Sequence, residues 1–316
     1  MFLKRCASVL SAISLSLLGL AGCTVQEPGD LSASTHEGPL KVTCTIGMIA
    51  DVAAAIGGDH VVVTGLMGPG VDPHLYKATQ GDLARLKDAD LILYHGLHLE
   101  GRMADVLVKL ARLVPTFQVT DTIDHSLLRE PPEFAGNYDP HVWFDVSMWR
   151  TAAERIHVIL VEAMPLHKVE LDKRAAAYLS EMDALHAYAK ERLSQIPEEN
   201  RVLVTAHDAF GYFGRAYGLE VLGIQGISTS SEYGLQDLNT LLNTLVERKI
   251  KAVFVETSVS HRSIEALIEG ARSSGHEVKL GGELYSDAMG AADSPEGTYL
   301  GMVRHNVDTI AEALEK

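Results

Sequence analysis

Residues 166–196 read LHKVELDKRAAAYLSEMDALHAYAKERLSQI and contain no glycine or proline, whereas Pro165 precedes them and Pro197 follows them. Apolar residues recur there mostly three or four positions apart, as on one face of a helix: Leu171, Ala175, Tyr178, Leu179, Met182, Leu185, Ala189 and Leu193. At about 1.5 Å per residue the helix is about 45 Å long, which exceeds the width of one small domain. It predicts a rigid spacer between two domains. A coiled coil is the alternative, but the stripe covers only about four heptads.

On both sides of this helix, short runs rich in β-branched residues alternate with helical patterns. Before it, strands are predicted at 41–46, 60–65, 90–94 and 116–119, and helices at 49–56, 80–88 (capped by Thr79) and 99–113. After it, strands are predicted at 201–205, 251–255 and 276–280, and helices at 209–217, 235–248, 263–272 and 297–315. This order predicts an α/β fold of two lobes, each a mostly parallel sheet flanked by helices, joined by one long rigid helix.

The amino terminus has the pattern of a lipoprotein signal peptide. Lys4 and Arg5 precede an apolar stretch, 7–20, that is short for a membrane span, and Leu20-Ala21-Gly22-Cys23 resembles a bacterial lipobox. An ordinary secretory signal with a chance cysteine is the alternative. We therefore expect a protein lipid-anchored through Cys23 to a bacterial membrane, facing the periplasm or the cell exterior. The predicted segments are a signal peptide 1–22, a flexible tether 23–39, an amino-terminal lobe 40–164, the connecting helix 165–197 and a carboxy-terminal lobe 198–316.

Charge and cysteine content narrow the function further. The formal net charge is −15 and no basic run occurs, so nucleic acid is not an expected partner. Of the three cysteines, Cys6 leaves with the signal and Cys23 carries the lipid, so Cys44 cannot form an internal disulfide. Cys44 lies in an apolar strand and is expected to be buried and inert. A metal site must therefore be built from histidines and carboxylates, and nothing in the sequence argues against a monomer.

Four short segments carry side chains that can bind a metal: 68–74, 139–145, 205–210 and 282–287. Three of them follow predicted strands, and ligands of open parallel sheets lie just outside the carboxyl ends of strands. Two segments fall in each half of the chain, so a site built from them lies in the cleft between the halves.

The triplet Asp-Pro-His occurs twice, at residues 72–74 and 139–141. Proline fixes its own φ and restricts the residue before it, so the imidazole that follows projects from a stiff loop. The aspartate of each triplet is placed to hold that loop or to orient an imidazole.

Several continuous motifs resemble the periplasmic solute-binding lipoproteins of zinc and manganese ABC importers, of the TroA type: 70–74, 96–100, 139–145, 205–213 and 281–287. The resemblance runs from about residue 41 to the carboxyl terminus. It implies two α/β lobes joined by a single long helix, with one metal ion clamped between them for delivery to the importer permease. Matched motif to motif, it implies four metal ligands: His74, His141, His207 and Asp287.

Three imidazoles and one carboxylate suit tetrahedral zinc, and a bidentate carboxylate would also let them serve manganese or ferrous iron. Within the resembled family, manganese-dedicated members usually carry glutamate in place of His207. Zinc-dedicated members usually carry a long histidine-rich loop before the second ligand, whereas segment 120–138 here contains only His125. The sequence therefore does not distinguish zinc from manganese as the transported metal.

Other polar side chains are expected around the site. His95, where the family often has asparagine, and His98 are predicted to line the cleft, with direct ligation as the alternative. Asp208 and Glu232 are candidates for orienting imidazoles, and the pair Trp143-Phe144 is expected to pack beneath the ligands.

Two other functions, a zinc hydrolase and a surface adhesin, have less support in the sequence than metal delivery. A zinc hydrolase usually has three protein ligands and an open position for water, whereas four ligands close the site. The sequence also lacks His-Glu-x-x-His and Gly-x-Ser-x-Gly motifs, so an enzyme is not expected. A surface adhesin has no support in the sequence beyond the expected exposure on the cell surface.

Overall fold

The computed structural model describes residues 38–134, 136–230 and 234–315. The predicted signal peptide, Cys23 with most of the tether, and Glu232 lie outside the described residues. Within the described ranges, no helix combines the length and the apolar character that a membrane span requires. The predicted segment boundaries stay predictions.

The first lobe is built on one four-stranded sheet in which every neighbouring pair is parallel, in the order β2-β1-β3-β4. The strands are β1 Leu40–Cys44, β2 Val61–Gly65, β3 Leu91–Tyr94 and β4 Thr116–Gln118. The helices of this part of the chain are α1 Gly47–Gly57, α2 Gln80–Asp88, α3 Ala104–Leu110 and α4 Val146–Ala163. Thr79 caps α2 as predicted, with its side chain accepting the backbone N–H of Asp82. Cys44 is a free thiol and is buried, as predicted.

The connecting helix, α5, spans Lys168–Leu193 and has 26 residues, which makes it about 39 Å long. A 3₁₀ turn at Pro165–His167 precedes it. Its apolar face is buried as predicted, and α5 packs against α1 and α4 from the first part of the chain and against helices from the second. One hydrophobic core runs from the first sheet across α5 into the second lobe, so the helix is a packed spine and not a free linker.

The second lobe has four strands in two parallel pairs, β5 with β6 and β7 with β8, and β5 lies beside β7. The strands are β5 Val202–His207, β6 Glu220–Gln225, β7 Ala252–Glu256 and β8 Lys279–Leu284. The helices are α6 Gly211–Tyr217, α7 Leu235–Glu247, α8 Arg262–Ser273 and α9 Tyr299–Leu314. Parallel sheets flanked by helices, with a long helix joining the lobes, confirm the predicted fold class.

Several elements differ from the predicted bounds; for example, the helix predicted at 99–113 is α-helical only over Ala104–Leu110. Strand β6 is additional; its Gly223 lies so close to the backbone of Asp208 that a side chain would not fit, and glycine is a poor strand signal. Strand β8 starts later and continues through Gly281 and Gly282, because an irregular register opposite Val253 accommodates these glycines. Helix α4 has no counterpart among the predicted bounds, although its buried residues have helical spacing.

Candidate metal centre

Four side chains from four separate segments converge on one point: His74, His141, His207 and Asp287. Each is buried, and each offers one ligand atom that lies within 4.8 Å of the other three. The structure thus brings together all four residues that the sequence singles out as ligands.

The spacing of these ligand atoms fits a single ion. His74 Nε2 lies 3.3 Å from His141 Nε2, and His141 Nε2 lies 3.3 Å from one oxygen of Asp287. The other Asp287 oxygen lies 3.7 Å from His207 Nδ1 and 3.9 Å from His74 Nε2. A tetrahedral zinc at about 2.0–2.1 Å from each donor places the donors about 3.4 Å apart. Binding an ion therefore requires only small adjustments of the side chains.

The first Asp-Pro-His loop positions His74. Asp72 Oδ1 accepts the backbone N–H of His74 at 2.8 Å, which fixes the turn around the proline. The second oxygen of Asp72 accepts the hydroxyl of Thr229 at 2.5 Å, so this loop is also joined to the second lobe.

The second Asp-Pro-His loop holds His141 in the same way and also sets its tautomer. Asp139 Oδ1 accepts the backbone N–H of His141 at 3.0 Å and lies 2.7 Å from the ring nitrogen Nδ1. The Nδ1–H therefore points at Asp139 and leaves the lone pair of Nε2 for a metal. Arg129 donates to the other oxygen of Asp139 at 2.6 Å and keeps that carboxylate in place.

His207 is the last residue of β5 and is held by contacts from distant parts of the chain. Its Nε2–H donates to the carbonyl of Ile227 at 2.9 Å, so Nδ1 is the atom that faces Asp287. Its backbone N–H donates to Oε1 of Glu256 at 2.8 Å, and Glu256 is the last residue of β7. The His207 ligand thus depends on two other segments of the second lobe.

Asp287 lies just beyond β8, and both of its buried carboxylate oxygens lack a hydrogen-bond partner among the described residues. The same holds for His207 Nδ1 in the described part of the chain. A buried polar atom without a partner costs about 1–3 kcal/mol, and more when it is charged. A cation among these atoms removes that cost, which is the strongest structural sign of a metal site.

Burial and charge move the pKa values of these groups in different directions. Burial lowers the pKa of His74 to about 3, against the attraction of Asp287, so this imidazole is neutral. Burial also disfavours the charged form of His207, but Asp287 and Glu256 raise its pKa to about 10. Burial alone raises the pKa of Asp287, whereas the imidazoles, His207 above all, bring it below its ordinary value. An incoming cation therefore displaces a proton from His207.

The remaining predicted site residues are placed differently. His95 is fully buried, where its Nε2–H donates to the carbonyl of Pro140 at 2.7 Å and its ring packs against Trp143. It supports the second Asp-Pro-His loop from behind and does not line the cleft. His98 is exposed and lines a surface pocket with Gln118, away from the four ligands. The carboxylate that accepts the backbone N–H of His207 is that of Glu256, which the sequence predictions missed.

The aromatic pair beneath the site is buried as expected. The indole of Trp143 packs edge-on against the His141 ring, with 5.2 Å between ring centroids, and donates to the carbonyl of Ser286 at 3.1 Å. Phe144 stacks on Phe210 of the second lobe, with ring centroids 4.3 Å apart. These rings exclude water from the underside of the ligands and bring the segments of the two lobes together.

Comparison with known proteins identifies the family. Residues 42–313 match the family model described as ZnuA, zinc-uptake complex component A, periplasmic. The chain belongs to the ZnuA family. The predicted resemblance is thereby confirmed.

Two similar proteins have names that refer to different metals. The manganese-binding lipoprotein MntA of Bacillus subtilis is 48% identical over 307 residues, covering 97% of this chain and 99% of the relative. The zinc-binding protein TroA of Treponema pallidum is 47% identical over 315 residues, covering 99% of each chain. A solved structure of TroA from Treponema pallidum superposes with a TM-score of 0.85 at 48% identity, covering 88% of this chain and 99% of that one. The family fold therefore extends over the whole described body of the protein.

Proposed function

We propose that this protein captures one zinc or manganese ion between its two lobes and delivers it to the permease of an ABC importer. The proposal rests on the close approach of four buried side chains, those of His74, His141, His207 and Asp287. Both carboxylate oxygens of Asp287 lack a hydrogen-bond partner among the described residues. The ligand atoms in this proposal are Nε2 of His74 and His141, Nδ1 of His207 and the carboxylate of Asp287. Membership of a family of zinc-uptake components supports the same function.

Zinc and manganese are both retained as cargo, with ferrous iron as a further candidate. Relatives at 48% and 47% identity carry the names manganese-binding and zinc-binding, so similarity alone does not separate the two metals. The ligand set does not separate them either, because three nitrogens and a carboxylate suit zinc while oxygen donors suit manganese. For equal ligands zinc binds more tightly than manganese, so the supply of metal in the organism contributes to the choice.

Delivery requires that the two lobes respond to the ion. His74 and His141 come from the first part of the chain, and His207 and Asp287 from the second, so the ion links the lobes directly. Because α5 is packed against both lobes, we expect release to tilt them slightly and not to open a wide hinge. In the same proposal, Cys23 is acylated, residues 24–39 tether the lobes to a bacterial membrane on its outer side, and the protein acts as a monomer.

We infer that the protein is not an enzyme. A catalytic zinc keeps one coordination position open for water or substrate, whereas here four protein donors surround one point and all four are buried. A hydrolase would need one of these donors to leave the ion during turnover. Among the residues that the structure describes, no contact in the site favours that role over the binding of a cargo ion.

Metal content of the soluble chain, residues 24–316, tests the proposal. The protein is stripped with a chelator, equilibrated with zinc, manganese or both, and analysed for bound metal. We expect about one equivalent of either metal, lost in His207→Ala and kept in His186→Ala, since His186 lies on the spine helix. Competition between the two metals then identifies the preferred cargo. Absence of stoichiometric metal under every condition would show the four-ligand site to be wrong.

A further inference from the structure

The three histidine ligands share the same kind of backbone contact. The backbone N–H of each is accepted by a carboxylate: that of His74 by Asp72 at 2.8 Å, that of His141 by Asp139 at 3.0 Å and that of His207 by Glu256 at 2.8 Å. The three carboxylates thus form equivalent backbone clamps on the three ligand residues.

The clamps differ in what their second oxygen does. Asp72 Oδ2 accepts the hydroxyl of Thr229, and Asp139 Oδ2 accepts the guanidinium of Arg129. Glu256 Oε2, by contrast, lacks a hydrogen-bond partner among the described residues, although the side chain is completely buried. An unpaired carboxylate oxygen in the interior is costly, so a cation close to it would stabilise it.

The position of this oxygen points to a cation as that partner. Glu256 Oε2 lies 3.7 Å from His207 Nδ1, the atom that faces Asp287 at the same distance. Glu256 is nevertheless outside the set of four residues whose ligand atoms lie within 4.8 Å of one another. It is therefore beside the metal position without belonging to a four-coordinate site.

The two candidate metals make different demands on such an oxygen. Zinc is satisfied by four donors in a tetrahedron, whereas manganese favours carboxylate oxygens and higher, octahedral coordination. A fifth donor, an anionic oxygen near the ion, would thus coordinate manganese but not zinc.

We propose that Glu256 is an additional oxygen ligand that is used for manganese only. Its Oε2 approaches the ion when the cargo is manganese and remains beside His207 when the cargo is four-coordinate zinc. This inference rests on the proposed function, since it assumes that both metals bind at the four-residue site. Through this single side chain the protein narrows the affinity gap that otherwise favours zinc.

The variant Glu256→Gln tests the role of Oε2. Glutamine has the same shape and keeps an oxygen to accept the His207 N–H, but its amide nitrogen cannot bind a metal. We expect the dissociation constant for manganese to rise at least about tenfold while that for zinc changes less than about threefold, as measured by competition with metal-chelating indicators. The matched control is Asp72→Asn, because Asp72 accepts the backbone N–H of a ligand histidine in the same way but has both oxygens already hydrogen-bonded. This variant should weaken the binding of both metals by a similar factor.

The outcomes separate the inference from the function on which it rests. If Glu256→Gln weakens the binding of zinc and manganese equally, or changes the binding of neither, Glu256 only positions His207 and the inference is wrong. The proposed function in metal delivery is unaffected by that result. If the unmodified protein binds neither metal, the proposed function itself fails. A structure of the unmodified protein loaded with manganese provides a test that needs no variant: Oε2 in contact with the ion supports the inference, and Oε2 still directed at His207 overturns it.

Discussion

The two Asp-Pro-His loops and the strand ends of the second lobe present ligands to the same point but hold them differently. In the loops, each histidine is clamped by an aspartate two residues earlier in the chain, Asp72 for His74 and Asp139 for His141. His207 at the end of β5 is clamped instead by Glu256, 49 residues later in the chain. One half of the site is therefore organised locally, and the other half exists only once the second lobe has folded.

The two regions also differ in what they leave unsatisfied. The ring nitrogens of His74 and His141 that face the site lie within hydrogen-bonding distance of each other. Among the four ligands and their carboxylate clamps, the buried side-chain polar atoms without a partner in the described residues all belong to the second lobe, on His207, Glu256 and Asp287. The energetic need for a cation is thus concentrated at the strand ends, and the loops provide a preformed surface against which the ion is held.

The comparison predicts the largest loss of binding for Asp287→Ala. This change removes the carboxylate from the proposed set of four ligands, and we expect affinity for zinc and manganese to fall by at least about a hundredfold. Titration against a competing chelator measures the change, and thermal unfolding of the metal-free variant checks that it folds. The control is His98→Ala, an exposed site away from the ligands, which should stay within about twofold of the parent protein. Similar losses for both variants would contradict the ligand assignment.

A smaller effect is predicted for pH, and it arises from differences in protonation among the three ligand imidazoles. Burial lowers the pKa of His74 to about 3, whereas Asp287 and Glu256 raise that of His207 to about 10 against the effect of burial. Asp139 and Asp287 likewise raise the pKa of His141 against the effect of burial, so near neutral pH the ion displaces protons from His207 and His141 and none from His74. Metal affinity should therefore rise with pH, by about tenfold per pH unit for each proton displaced. Competition titrations at about pH 6, 7 and 8, with a pH indicator to count released protons, measure this. Affinity independent of pH, with no proton release, would argue against this electrostatic description of His207.

The same contrast explains how much could be predicted from the sequence. The Asp-Pro-His loops are visible because proline and a neighbouring aspartate act over three residues, and α5 is visible because its apolar spacing is local. Glu256 was missed because its role depends on β7 lying beside β5, a pairing that no local pattern specifies. The signal that could have found it is a glutamate at the end of the apolar strand 252–256, where a buried charge needs a partner.

His95 shows the reverse error. Its place near a strand end suggested a cleft residue, because strand ends in parallel sheets are where ligands bind. In the fold, the loop carrying Pro140 crosses over it, so the histidine becomes a buried support for His141. Which strand end is covered depends on the path of segment 119–145, which contains few regular elements and therefore little periodic signal.

The smallest predicted effect concerns one of the hydrogen bonds between the two regions, from the Thr229 hydroxyl to Asp72 at 2.5 Å. Thr229→Val keeps the shape of the side chain and removes the donor, leaving the clamp from Asp72 to His74 in place. A hydrogen bond to a charged group contributes about 1.5–3 kcal/mol, but water replaces part of this contribution when the cleft opens. We therefore expect zinc release from the variant to be about threefold to tenfold faster. Stopped-flow transfer of zinc to a chelator measures that rate. Thr240→Val on α7, whose hydroxyl bonds only within its own helix, is the matched control. A release rate equal to that of the control would mean that this hydrogen bond does not slow the separation of the first Asp-Pro-His loop from the second lobe.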